Sequence, residues 1–368
     1  MPPRPPQRGL RSLLAAPAAL PTAAALGFFL LLAIRAGLGD GFRFYHPIQV
    51  GQKFARPELL LPEQEPVAGV GYDGQFYFFI GQDPLLRNPA IAPSLDNSLR
   101  YRRILYPLLA WALSLGQRTW LPYTLMAINV LACTTVVSAA ATAAARQGRS
   151  PWWAVTLAVY PGLWIPLFLD LTEPLQLALL AWAMLTASAG LLFLSALAKE
   201  TSAVVMLVEL VRHLMRWRWA AAGRQALGLA VLAAWSLLVW KTVHAHESTL
   251  GGHLLDPPGA PFLVFVRELT VPAQAVFELA AVVICLLAIA RLSWARDRSA
   301  WSAAAYAAIG LAAGVDTWTD PAAYFRVIAG AVVLVFMSWV GRRDRAGLIL
   351  LTLAAFSGAA TLPLLTLR

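Results

Sequence analysis

Charged residues are scarce in this 368-residue chain. Only 13% are Asp, Glu, Lys or Arg, about half the roughly 25% of an ordinary soluble domain, and that shortage excludes a soluble globular enzyme. Lysine is scarcer still, with three (Lys53, Lys199 and Lys241) against 26 arginines. The two cysteines, Cys133 and Cys285, stand far apart inside apolar runs, so neither a disulfide framework nor a zinc site is indicated. The five histidines, His46, His213, His244, His246 and His253, follow no familiar metal-ligand spacing. No Walker A loop, Rossmann fingerprint, Gly-x-Ser-x-Gly elbow or His-Glu-x-x-His pair occurs, which leaves nucleotide-driven transport without support. The net charge of +10 is scattered between apolar runs, so nucleic acid is excluded as a partner.

What fills the chain is apolar: 59% of residues, at a mean hydropathy of +0.64. Several runs approach or exceed the roughly 20 residues that span a bilayer core. The sequence therefore predicts an all-α polytopic transmembrane bundle forming a single integral membrane domain. Its first helix is expected at 12–34, uncleaved because the apolar stretch is about twice a usual signal-peptide core. A long hydrophilic loop bearing interfacial helices follows at 35–118, and loops of that length in compact proteins are usually functional or disordered. The remaining bundle is expected at 119–367. Counting the short runs 189–199 and 201–215 as two passes gives about 11.

Orientation follows from the arginines between the runs. Segments 4–11, 146–149, 212–224, 291–298 and 342–345 hold fifteen arginines against two acids, Asp297 and Asp344, whereas Asp73, Asp83, Asp96, Asp170, Glu173, Glu247, Asp256, Asp316 and Asp320 fall on the other side. The N-terminus is thus expected in the cytoplasm and the 35–118 loop outside, provided that Ile104 to Gly116 lies at the interface without crossing.

Candidate chemistry gathers in a few places. In the first outer loop, Tyr72-Asp73-Gly74-Gln75-Phe76-Tyr77-Phe78-Phe79 packs five aromatics into eight residues, a composition suited to a headgroup boundary. There Asp73 is either an acid facing substrate or the N-cap of an interfacial helix. Arg100, Arg102 and Arg103, with Tyr101 and Tyr106, suit a phosphate group, since guanidinium donates in a bidentate fork. Later runs carry Asp170, Glu173, Lys199, Glu200, Asp316, Asp320 and Arg326. An ionisable group inside a bilayer costs roughly 2.5–3.5 kcal/mol on insertion scales, which makes each a functional candidate. The alternatives are mutual neutralisation by Lys199 and Glu200, and helix capping by the acids.

The order Tyr-Asp-Gly-x-x-Tyr (Tyr72 to Tyr77), Arg-x-Leu-Tyr-Pro (Arg103 to Pro107), Asp170/Glu173-Pro174, Ala-Lys-Glu-Thr (Ala198 to Thr201) and a late Tyr-x-Arg (Tyr324 to Arg326) resembles the GT-C superfamily. These are polytopic glycosyltransferases that use polyprenyl-phosphate-linked sugars, and the likeness is to PIG-V-type mannosyltransferases and bacterial cell-surface glycopolymer proteins. It follows the order of elements along most of the chain, though its specific part is confined to about 40 residues. The resemblance implies a bacterial inner-membrane protein with an extracytoplasmic active site, a polyprenyl-phosphate-linked sugar donor, and a glycan, lipid or protein acceptor. Asp73 is then the general base, and Tyr72, Gln75, Tyr77, Arg100, Arg102, Arg103, Tyr106, Glu173, Lys199, Asp316 and Arg326 bind substrate. Many members carry two acids close together. Here only Asp73 stands in the motif and Asp83 lies ten residues on, so a divalent metal is not carried over and no cofactor is assigned. A transporter or flippase of lipid-linked sugars, or a non-catalytic subunit of an envelope assembly complex, would also use arginines near phosphate and acids within helices.

Overall fold

A computed structural model describes residues 16–243, 272–342 and 344–366. His244, His246, His253, Glu247 and Asp256 lie outside the described residues, as does the side chain of Asp316. The described chain is helical. Among its residues no strand forms, and only two isolated bridges, Val50 with Gly71 and Gly51 with Val67, tie the first loop together. Gly71 has φ +67° and presses against the Gln49 carbonyl and the Gly51 amide, where a side chain would collide.

The principal helices are α1 (Ala16–Leu38), α2 (Gly74–Gln82), α3 (Leu105–Leu113), α4 (Leu121–Arg146), α5 (Glu173–Thr186), α6 (Ala189–Ala198), α7 (Ser202–Met215), α8 (Trp219–Val243), α9 (Pro272–Ala290), α10 (Arg298–Leu311), α11 (Pro321–Val327), α12 (Ala329–Arg342) and α13 (Arg345–Thr366). Among the described residues four stretches are long and apolar enough to cross a membrane: Pro17–Leu38, Arg118–Arg146, Trp219–Val243 and Ala275–Ser293. The run at 152–169 is broken at Val159-Tyr160 and bent by 69°, and it makes a fifth only if the two pieces count as one span. Several other runs fold as shorter helices. A 14-residue helix such as α5 is about 21 Å long, against a hydrocarbon core of about 30 Å, and the run at 322–340 divides into α11 and α12.

The breaks have local causes. Pro174 and Pro321 sit in the first turns of α5 and α11, where proline gives up an N–H that has no helical partner anyway. Ser188 accepts the Leu191 amide at the start of α6, and Asp297 accepts the Ala300 amide at the start of α10. Ala187, at φ 57°, ends α5. Ala187 and Ser188 separate α5 from α6, and the start of α5 meets the α6–α7 break, where Glu173 pairs with Lys199.

The 35–118 region folds around an apolar core of its own, in which Ile48, Phe54, Leu59 and Ile91 meet α2, α3, the start of α4 and Val239 of α8. That packing alters the place expected for the aromatics. Phe76, Tyr77, Phe78 and Phe79 are buried inside the protein and do not present an open aromatic face to a headgroup boundary. A nine-residue helix covered by α3, α4 and the loop has no free face to offer.

The arginine-rich ends are cross-linked by the few acids among them. Arg291, fully buried, donates to both oxygens of Asp344 at 2.9 and 2.5 Å. Asp297 accepts from Arg342 and Ser338 at 2.9 and 2.7 Å. Glu209, within α7, accepts from Arg212 at 2.8 Å and lies 2.9 Å from Arg298.

Candidate active site

Asp73 precedes the first turn of α2, but its side chain makes no capping bond. The carboxylate instead accepts a hydrogen bond from Arg100 Nη1 at 2.7 Å. Arg100 is held from its other edge by Asp96, through Nε at 3.0 Å and Nη2 at 2.8 Å, and its guanidinium lies over the Phe76 ring, 5.1 Å from the centroid. The guanidinium is thus fixed whether or not Asp73 is charged. Asp73 is the more open partner, with 27% of its side chain exposed against 14% for Arg100.

Adjacent to Asp73, the Tyr72 hydroxyl donates to Asp320 Oδ2 at 2.8 Å and accepts from Arg326 Nη2 at 3.1 Å. Arg326 also donates through Nη1 to Glu173 Oε1 at 3.2 Å, and the same oxygen accepts from Lys199 Nζ at 2.7 Å. Arg103 forks onto Glu200 at 2.8 and 2.6 Å and donates to the Tyr77 hydroxyl at 2.9 Å. Tyr77 packs edge-on against Tyr106.

Asp73, Arg100, Arg103, Glu173, Lys199 and Arg326 therefore converge on one cluster drawn from the first loop, the start of α5, the α6–α7 break and α11. Burial pushes the Asp73 carboxyl upward, but the guanidiniums of Arg100, Arg326 and Arg103 outweigh it and hold the group below its ordinary value. Burial raises the Tyr72 phenol well above its usual range and keeps it a neutral hydroxyl.

Other residues expected at the site serve the scaffold around it. The Gln75 amide donates to the carbonyls of Val70 and Tyr72, and its oxygen accepts the Gly51 amide. Tyr106 donates to the Leu125 carbonyl and accepts from Asn129. Arg102 reaches Ser98, and its carbonyl accepts the Trp235 indole N–H. Asp170 is buried in a left-handed conformation, φ +46°, and its carboxyl oxygens take no hydrogen bond among the described residues.

Asp96 was not anticipated, although its i,i+4 spacing to Arg100 is a pattern readable from sequence. Asp320 both caps α11, accepting from Ala322 N at 2.9 Å, and receives the Tyr72 hydroxyl. Nothing in the sequence indicates that second contact, across 248 positions.

Gly74 sets the position of Asp73. A Cβ there would collide with the Leu169 carbonyl and crowd that of Pro47, and both are backbone atoms. Gly74→Ala is expected to displace the first turn of α2 and to cost about 1–3 kcal/mol, the range for overpacking. Thermal unfolding measures the loss, and an unchanged Tm would mean that the neighbouring backbone yields freely.

Among the described residues no group of three or more His, Cys, Asp or Glu side chains is placed to hold a metal ion. An apolar groove of about 320 Å³ opens between α4, α5 and α6, lined by Ile128, Leu131, Leu175, Leu179 and Trp182 among others. Leu175 is two residues from Glu173. No protein-family model matches the chain, no curated protein matches it, and no solved structure matches it.

Proposed function

We propose that the protein is an integral inner-membrane glycosyltransferase of the GT-C type, transferring a sugar from a polyprenyl-phosphate donor to an extracytoplasmic glycan, lipid or protein acceptor. One observation carries the reading: a partly open carboxylate, Asp73, stands among four fixed cations, Arg100, Arg103, Lys199 and Arg326. Sugar transfer needs both parts. The acceptor hydroxyl gives its proton to Asp73 as its oxygen bonds the anomeric carbon. The bond from that carbon to the phosphate oxygen breaks, and the departing phosphate carries the electron pair and its negative charge onto preorganised cations.

The cations are balanced by acids in the resting cluster, so a donor phosphate has to compete for them. Arg100 is suited to that exchange, because Asp96 keeps it in place while it turns from Asp73 to a phosphate oxygen. Losing that contact also raises the basicity of Asp73. The apolar groove beside Glu173 suits a prenyl chain entering from the side. The eleven passes expected from hydropathy, with the short runs 189–199 and 201–215 each counted as one, belong to this reading.

The test is transfer of labelled sugar from a polyprenyl-phosphate donor by protein reconstituted in vesicles. Lys199→Gln and Arg326→Gln are each expected to weaken donor binding by on the order of tenfold or more, the loss of one charged hydrogen bond. Unchanged donor affinity in both would reduce the cations to charge balance. Movement of the lipid-linked sugar between leaflets without transfer would favour the flippase.

The orientation has its own test. Glu63, in a solvent-facing pair with Arg43, is expected to label from outside as Glu63→Cys, and the exposed Arg218 is expected to stay silent as Arg218→Cys. The native thiols are both buried and add no background. The reverse pattern would put Asp73 on the cytoplasmic side and remove it from lipid-linked donors outside.

A further inference from the structure

At the far ends of α5 and α7 from Asp73, a second charged feature has no part in the proposed transfer. α7 starts two residues after Glu200 and runs for 14 residues, so its last turn lies about 20 Å from the Asp73 cluster. There a pocket of about 320 Å³ is lined by Arg212, Arg216, Arg218, Arg224 and Arg298 around Glu209. Five guanidiniums thus meet one carboxylate. Glu209 is buried and engages Arg212 through one oxygen and Arg298 through the other. Among the described residues no carboxylate pairs with Arg216, Arg218 or Arg224, which are exposed at the rim. Such a surplus of planar donors matches the oxygens of a phosphate group.

The chain around the pocket indicates where that phosphate comes from. Arg216-Trp217-Arg218 forms the turn between α7 and α8, with Trp217 at φ 57° and Trp219 opening α8. The two arginines line the pocket and the two tryptophans do not. The indoles pack edge-on against one another with 76% and 61% of their surfaces exposed, beside exposed Met215 and Leu214. Tryptophans and apolar residues projecting beside arginines suit the boundary between acyl chains and headgroups. Basic pockets between helices on the arginine-rich side are favourable places for anionic headgroups.

We infer that this pocket is a phosphate site occupied by the headgroup of an anionic phospholipid, with Trp217 and Trp219 seated in the adjoining acyl region. Arg212 and Arg298, fixed by Glu209, form its floor, and Arg216, Arg218 and Arg224 supply the unneutralised charge. The site is independent of whether the protein transfers a sugar.

The experiment titrates detergent-purified full-length protein with dioleoyl phosphatidylglycerol, dioleoyl phosphatidylcholine or inorganic phosphate and counts bound ligand by native mass spectrometry. Wild type is expected to retain phosphatidylglycerol in preference to phosphatidylcholine. The triple variant Arg216→Gln, Arg218→Gln, Arg224→Gln is expected to lose that affinity by on the order of 100-fold with phosphatidylcholine binding unchanged. Its three positions are exposed and leave the Glu209 pairs intact, so thermal unfolding should match wild type. A control, Arg296→Gln with Arg345→Gln, removes two exposed arginines outside the pocket and should leave retention unaltered. Equal affinity for the two lipids, an unaffected triple variant, or an equal loss in the control would overturn the site. Binding of inorganic phosphate without retention of phosphatidylglycerol would overturn the lipid as its occupant.

Discussion

Asp73→Asn is expected to fold normally, to bind the lipid-linked donor, and to transfer sugar about 10²–10⁴-fold more slowly, the scale of losing a general base. Normal folding follows from the surroundings: Arg100 keeps its two-pronged contact with Asp96 and its place over Phe76 when the Asp73 charge is removed. A helix-capping role would instead give a modest loss of stability and near-normal transfer. Near-wild-type transfer by Asp73→Asn would remove Asp73 from the chemistry.

The pH dependence gives the same residue a second signature. In wild type the neighbouring guanidiniums hold the Asp73 carboxyl below its ordinary value, so it stays ionised throughout the neutral range. Its loss of activity belongs in acid, below the ordinary Asp value of about 3.9. Arg100→Gln removes the largest of the lowering influences and leaves burial to act in the opposite direction. The carboxyl then takes up its proton at higher pH, and the acid limb of the transfer profile should move toward neutrality. A limb at the same pH in both proteins would show that Asp73 is not the titrating base.

The largest stability effect is expected at Glu173. Its side chain is 3% exposed, Lys199 is 7% and Arg326 is 8%, and a single oxygen, Oε1, serves both cations. Glu173→Gln strands an ammonium and a guanidinium away from water, and breaking a buried pair in this way costs about 3–5 kcal/mol. Unfolding in mixed micelles of denaturing and mild detergent would measure the loss. Glu200 provides the comparison: its carboxylate is 39% exposed, so water already screens its pair, and its removal leaves one cation, Arg103, which keeps its hydrogen bond to the Tyr77 hydroxyl. Glu200→Gln should therefore cost distinctly less. Equal losses would mean that water reaches Glu173 as freely as Glu200. Adding Lys199→Met to Glu173→Gln should recover part of the stability by removing one of the stranded charges.

Hydropathy and charge are read residue by residue along the chain, and they sufficed for an all-helical chain with helices apolar enough to cross a membrane, and for the individual ionisable groups out of place in such a chain. The helix starts at Pro174, Ser188 and Asp297 are local in origin too, because capping depends on neighbours within a single turn. The tertiary structure decided everything that depends on distant segments meeting. It divided the apolar runs into long and short helices, and it enclosed Phe76 to Phe79 in a core where composition suggested a headgroup boundary. It turned Asp73 from its own helix toward Arg100, 27 residues away, and joined Glu173 to Lys199 and Arg326 across 26 and 153 positions. Periodicity describes which face of a helix is apolar. The charge that meets another across the bundle is set by which helix ends the packing brings together, and that information is absent from any single turn.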